Sequence, residues 1–202
     1  MIMELVWPAP AYLQSYAAAL ERGWSADNVR GAAAAAEELE RIRTDPAAFV
    51  AGMVDREAKG GPLKLLDGTL APRLPGFRMW MWDGEFCGSI GLRWQPGTEA
   101  LPPTCMGHIG YAVVPWKRGR GYATQALAAM LPLARAEGLR YVELTTDEDN
   151  RASQRVIEAN GGVLHERFVK PPGFGARPGL RYRVQLVGSG APPAAAAEAP
   201  ER

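Results

Sequence analysis

The chain has 202 residues, 47% of them hydrophobic and 22% charged, with 23 Lys and Arg against 22 Asp and Glu and a formal net charge of +1. That is the composition of one globular domain able to bury roughly 70% of its unfolded surface. The balanced charge argues against a dedicated nucleic-acid binder, and no apolar run approaches the ~20 residues that span a bilayer. Glu4 and the early Pro8 and Pro10 do not suit a signal peptide. Cys87 and Cys105 are too few for a disulfide framework and fit a reducing compartment, so a soluble cytoplasmic protein is expected.

Along the chain, Tyr12, Leu13, Tyr16 and Leu20 recur at helical spacing after Pro10. A second helical zone starts near Asn28, contains the alanine run Ala32 to Ala36, and continues through Leu39, Ile42, Phe49 and Met53. Pro46 should divide it, and the alanines favour a helix but give it little to bury. Residues 60–76 read as a loop. Two partly alternating apolar runs, Phe77 to Trp82 and Glu85 to Trp94, flank Asp83-Gly84, a strong hairpin signal.

After a proline-rich loop, Gln95 to Met106, the spacing predicts a strand from His108 to Val114, stopped by Pro115. A helix follows over 121–137, with Ala123, Leu127, Met130 and Ala134 on one face and Pro132 weakening one turn. Then come a strand over 141–146, a short helix over 150–159 ended by Asn160-Gly161-Gly162, and two strands over 163–169 and 180–186. The fold class is α/β or α+β around a mixed sheet, with the 108–146 unit expected as a right-handed crossover joining parallel strands. The domain should occupy residues 1–186. Residues 187–202, VGSGAPPAAAAEAPER, offer nothing bulky to bury after Val187 and read as a disordered tail.

The most informative stretch is Val113-Val114-Pro115-Trp116-Lys117-Arg118-Gly119-Arg120-Gly121-Tyr122-Ala123. A strand ends at proline, a basic glycine-bearing loop follows, and a helix opens. Amide groups at a helix start lack intrahelical partners and carry partial positive charge, which makes an anion site. Gly119 and Gly121 allow close backbone approach, and Arg118 and Arg120 can add charge-assisted hydrogen bonds to phosphate oxygens. A pyrophosphate-bearing cofactor is the expected ligand. Thr124 stands where a dinucleotide fingerprint needs glycine, and Tyr122 follows Gly121 where a Walker A loop needs Lys-Ser/Thr.

From about Gly107 to Gly162 the sequence resembles the GNAT family of N-acetyltransferases. Arg118, Gly121 and Ala123 match its Q/R-x-x-G-x-G/A loop, and Asn150 matches its helix-mouth asparagine. Glu158 to Gly162 matches the family's helix ending, and GHIGYAVVP and TTDEDNRAS look like a bacterial subgroup with mostly unassigned substrates. The resemblance implies a mostly antiparallel sheet of six to seven strands, splayed between the fourth and fifth and flanked by four to five helices. It also implies direct transfer of an acetyl group from acetyl-CoA to an amine, on a small molecule or a protein, without a metal. A homodimer is compatible with it; neither nucleic acid nor membrane is an expected partner.

By the same resemblance, the backbone of Val113 and Val114 should hold the pantetheine arm, with the Val113 amide also stabilising the oxyanion. The cradle for the diphosphate runs Arg118, Gly119, Arg120, Gly121, Tyr122, Ala123, and Asn150 and Ser153 add hydrogen bonds. The base that takes the amine's proton is not clearly marked: His108, Glu85 and Glu143 are candidates, and His108 equally reads as a structural histidine. Many relatives carry a tyrosine as general acid where this chain has Ile157. Either the thiol leaves unaided, or Tyr111, Tyr122 or Tyr182 reaches the sulfur. The alternative function is an acyl-CoA-binding domain that does not catalyse. Tyr16, Trp24, Trp80 and Trp82 are candidates to line an acceptor pocket, or simply core, and the loops 95–106 and 170–179 are expected to shape that site.

Overall fold

The computed structural model describes residues 2–27, 30–65 and 67–186. The expected tail over 187–202 and the expected helix start at Asn28 lie outside these residues. β1 (Glu4–Val6) leads into α1 (Pro10–Glu21), which opens on Pro10, where the missing amide costs no hydrogen bond. α2 (Ala32–Thr44) and α3 (Pro46–Ala51) divide at Asp45, whose carboxylate accepts the Ala48 N–H at 2.8 Å and caps α3. Only Ala34 and Ala35 of the alanine run are buried.

A short strand, β2 (Val54–Asp55), follows α3, and the two-strand ladder of β3 (Leu63–Lys64) and β4 (Leu70–Ala71) stands within the 60–76 segment expected as loop. The hairpin forms as β5 (Gly76–Trp82) and β6 (Phe86–Arg93), with Glu85 joining Asp83 and Gly84 in the turn. The rest of the chain is β7 (Ile109–Val113), α4 (Tyr122–Ala136), β8 (Tyr141–Asp147), α5 (Arg151–Glu158), β9 (Val163–Val169) and β10 (Pro178–Gln185). α4 runs through Pro132, and its buried face is Tyr122, Ala126, Leu127, Met130 and Ala134, with Ala123 half-buried. None of the described helices is long and apolar enough to cross a membrane.

Apart from the β3–β4 ladder, the described strands form two antiparallel sheets, β1-β5-β6-β7, with β2 also on β5, and β8-β10-β9. β7 and β8 are the fourth and fifth of the described strands that exceed two residues, and they share no ladder. The parallel pair expected there is therefore replaced by a splay. One apolar cluster carries Met81, Ile90 and Leu92 from the first sheet, Leu127 and Met130 from α4, and Val142, Leu144 and Tyr182 from the second. α4 thus holds the two halves together. A second cluster packs Leu13, Tyr16, Leu20, Trp24 and Phe49 onto Trp80, Phe86 and Val114 on the other face of the first sheet.

β6 bulges against β5: Met81 pairs with Gly88 and Trp82 with Phe86, which leaves Cys87 as the extra residue. Gly88 has φ +151°, and a Cβ there would lie 2.3 Å from the Ala112 carbonyl oxygen and 2.8 Å from the Val113 Cα. Both obstacles are main chain of β7, so neither can swing aside. Gly88→Ala should therefore displace β7 and lower stability by about 2–4 kcal/mol, read as a fall in the urea midpoint.

Candidate active site

The residue that leads into β7, His108, is hydrogen-bonded to β8. The His108 N–H donates to the Glu143 carbonyl at 2.7 Å, and the Glu143 N–H donates to His108 Nδ1 at 3.0 Å. Beyond this pin the strands part. β7 keeps β6 on one side, with the Val114 N–H donating to the Cys87 carbonyl at 2.9 Å. Antiparallel pairing alternates along a strand. The N–H and C=O groups of Tyr111 and Val113 therefore point away from β6, into the gap. Val114, expected to act through its backbone, has both groups in use: its carbonyl accepts the Lys117 N–H at 3.0 Å.

The loop after β7 makes one 3-10 turn, Pro115–Lys117, and reaches α4 through Gly119 (φ +77°) and Gly121 (φ +76°). These left-handed values favour glycine, and nothing lies within 4 Å of where a Gly119 Cβ would stand. Among the described residues, no protein acceptor takes the amides of Gly121, Tyr122, Ala123 or Thr124. No acidic residue stands in the first turn of α4, so the positive end of the helix is left uncompensated. The exposed Arg118 sends Nε toward the Val113 carbonyl at 3.4 Å, and Arg120 is also exposed.

Across the gap, Asn150 caps α5 by accepting the Ser153 N–H at 3.1 Å. The Ser153 hydroxyl meets the Tyr111 hydroxyl at 2.8 Å, which links α5 to β7. Burial pushes the Tyr111 pKa up to about 12. The other two tyrosines considered for the sulfur are engaged elsewhere: Tyr122 donates to Asp83 at 2.6 Å and Tyr182 to Glu158 at 3.0 Å. Ile157 is buried in the core. On β8 beyond the pin, the buried Thr146 hydroxyl has no partner among the described residues.

The three candidate bases are held in other contacts. His108 is fully buried; burial lowers its pKa to about 4. Because Nδ1 accepts a backbone N–H, the neutral ring carries its proton on Nε2 and has no free lone pair for an amine's proton. Glu143 receives Arg183 at 2.7 Å and Arg181 at 3.1 Å. Burial pushes its pKa up, but these two guanidiniums outweigh that and hold it below the usual carboxylate range. Glu85 pairs with Lys117 at 2.6 Å at the hairpin turn.

The aromatic candidates are core. Tyr16 stacks on Trp80 at 4.6 Å and meets Phe86 edge-on, with Trp24 against the same Phe86. Tyr16 and Trp80 are fully buried and Trp24 nearly so, which leaves them no surface to offer an acceptor. Trp82 is half-buried against Tyr12. Local signals place Asp83 in the turn, Lys117 in the basic loop and Asn160 at the helix end, but not their contacts: Asp83 and Lys117 form a buried ion pair beneath the loop, and the Asn160 side-chain amide donates to the Thr124 and Val156 carbonyls and ties α5 to α4. The Asp83–Lys117 partners lie 34 residues apart, and only the hairpin brings them together.

A family model described as an acetyltransferase (GNAT) domain matches residues 33–163. No protein of curated function matches the sequence. Among solved structures, the chain is similar to the microcin C7 self-immunity acetyltransferase in complex with acetyl-CoA and AMP (12% identity, TM-score 0.59, 91% of this chain and 92% of that one). It is also similar to the Salmonella typhimurium acetyltransferase that modifies the N-terminal serine of ribosomal protein L7/L12 (15% identity, TM-score 0.57, 91% and 94%). A third is a putative acetyltransferase from the same organism with its cofactor acetyl-CoA (13% identity, TM-score 0.53, 96% and 98%).

The buried His108 has a consequence for stability. Its pKa falls from 6.5 to about 4 on folding, so between those values the unfolded chain takes up a proton that the native ring refuses. Its contribution to stability is complete above about pH 6.5 and declines as pH falls to about 4, by roughly 3 kcal/mol in all. Urea titrations at pH 7, 5.5 and 4.5 should show this slope in the parent and a flatter one in His108→Asn.

Proposed function

The chain belongs to the GNAT acetyltransferase family, and on that premise we propose that the 107–162 region carries an acetyl group from acetyl-CoA to an amine through the gap between β7 and β8. The observation that carries this reading is a free strand edge running directly into a loop whose amides have no protein acceptor. A diphosphate fits those amides, with Arg118 and Arg120 neutralising its charge. The pantetheine arm, itself a chain of amides, fits the free edge of β7 as an added strand. Asn150, Ser153 and the unpartnered Thr146 hydroxyl offer polar groups on the facing side.

Bound acetyl-CoA supplies a thioester carbon open to attack by the amine. The amides of Tyr111 and Val113 face the gap and can donate to the thioester oxygen as charge builds on it. Tyr111 is the residue for the departing sulfur. Its pKa of about 12 lies well above that of a thiol, about 8.5. It therefore keeps its proton and steadies the thiolate by donating a hydrogen bond; as the C–N bond forms and the C–S bond breaks, the proton shed by the acylated nitrogen passes to the departing thiolate, which leaves as the free CoA thiol. This replaces the missing tyrosine at Ile157 with a hydroxyl from the opposite wall. The site is proposed to act in the cytoplasm, in keeping with two free cysteines. Whether the acceptor amine belongs to a small molecule or a protein will follow from the loops 95–106 and 170–179.

Two experiments test the reading. Arg118→Ala combined with Gly121→Pro removes a charge and forbids the φ of +76° at the cap. Calorimetry with CoA should show binding lost while circular dichroism stays native-like, and undiminished affinity would refute the diphosphate site. Tyr111→Phe should lower kcat about 10- to 100-fold while the Kd for CoA moves less than about threefold. An unchanged kcat would remove Tyr111 from the mechanism.

A further inference from the structure

Lys117 sits in the middle of the basic loop, where its charge invites assignment to the phosphates, yet only 8% of its surface is exposed. Its ammonium group lies 3.0 Å from both carboxylate oxygens of Asp83 and 2.6 Å from Glu85. Asp83 is buried as well and accepts the Tyr122 hydroxyl at 2.6 Å. Tyr122 is the first residue of α4, and Asp83 is the first residue of the β5–β6 turn. These contacts therefore bridge the hairpin, the loop and the helix mouth, on both sides of Gly119 and Gly121. They line an open pocket of about 430 Å³ with Gly84 and Arg120. Arg22 stacks on Trp116 at 3.4 Å and holds the loop from α1.

We propose that Asp83, Lys117 and Tyr122 form a lock that presets the loop for a diphosphate, and that Lys117 is a positioning residue and not a phosphate ligand. Among the described residues the amides of Gly121 to Thr124 have no acceptor; the Gln125 N–H on the Gly121 carbonyl at 3.1 Å orders the helical turn, but not how the loop before it meets the helix mouth. Flanking anchors must set that before the ligand arrives, which lowers the ordering cost of binding. Three donors on Lys117 are met by two carboxylates, so its charge is satisfied without a ligand. Asp83 carries the opposite charge and would repel a phosphate if Lys117 turned outward. Its pKa is near 2: burial raises it, but the Tyr122 and Lys117 hydrogen bonds prevail, so the lock stays charged through the neutral range.

The inference rests on the acetyl-CoA reading, and its test separates the two. Steady-state kinetics would use acetyl-CoA and S-acetylpantetheine, which has the thioester arm but no diphosphate, on the parent, Lys117→Met, Asp83→Asn, the double variant and Tyr122→Phe. A parent that does not prefer acetyl-CoA defeats the diphosphate reading and this inference with it. Given that preference, Lys117→Met and Asp83→Asn should each lower kcat/KM for acetyl-CoA about tenfold or more, mostly through KM. S-Acetylpantetheine should be affected less than about twofold, a contrast that general loss of structure would not produce. The double variant should be no worse than the singles, because all three break one lock.

If Lys117 instead bound phosphate, Asp83→Asn would free it and keep or improve affinity. That result, or variants indistinguishable from the parent, overturns the proposal. Should the charge variants fail to fold, Tyr122→Phe decides: it keeps the ring and the ion pair, and it should weaken acetyl-CoA about three- to tenfold with S-acetylpantetheine unmoved. No change in Tyr122→Phe would equally overturn it.

Discussion

A β-strand inside a domain ordinarily gives its main-chain groups to two neighbours, and among the described strands β7 has one. Main-chain N–H and C=O groups left without a partner are costly where water is excluded. The free edge persists because the structure around it prevents closure. His108 and Glu143 fasten β7 and β8 at one end through two hydrogen bonds. α4 then spans both sheets with one continuous apolar face, so the halves are bound by packing where the ladder is absent. The Tyr111 hydroxyl crosses the opening to the Ser153 hydroxyl and carbonyl of α5, and no main-chain group of the β7 edge takes part in that contact. The edge is thus held open and unpaired, which is the condition for accepting an extended amide-bearing ligand.

Charge is divided with similar economy. Four residues near the loop are basic, counting Lys117, Arg118, Arg120 and the more distant Arg22. Lys117 is consumed by Asp83 and Glu85, and Arg22 by the Trp116 ring. The groups left for an anion are two exposed guanidiniums and a run of main-chain amides. Amides cannot be repositioned by rotating a side chain, so their geometry depends on what holds the backbone. That dependence is why buried ionic contacts beneath the loop matter more to it than surface charge above it.

Much of this was readable from local signals. The Asp83-Gly84 turn, the strand over 163–169 and the Asn150 cap each rest on a few adjacent residues, and each stands within a residue of its expected place. What failed involved partners distant in sequence. β5 is covered on both faces, by α4's cluster and by α1 to α3, so Trp80 reads as readily for a pocket as for a core. The role of His108 turns on which ring nitrogen is occupied, and that is set by Glu143, 35 residues away. The splay leaves no trace in composition, because β7 and β8 have the apolar content of ordinary paired strands. Only the family resemblance implies it.

The packing at Ile157 bears on the role proposed for Tyr111. Ile157 lies against Gly162, whose absent side chain admits its Cγ2 to 2.3 Å of where a Cβ would be. The helix end is therefore packed around an aliphatic group, and a tyrosine there would have to find another path. One turn earlier, Ser153 faces the hydroxyl of Tyr111 across the gap. The phenol thus reaches α5 from β7, carried by a strand whose position is fixed at His108 and by the close approach of Gly88 to Ala112 and Val113. A hydroxyl on a strand pinned at both ends is better located than one on the short helix α5 would be. In this chain, the constraint that keeps β7's edge free also fixes where the Tyr111 hydroxyl stands.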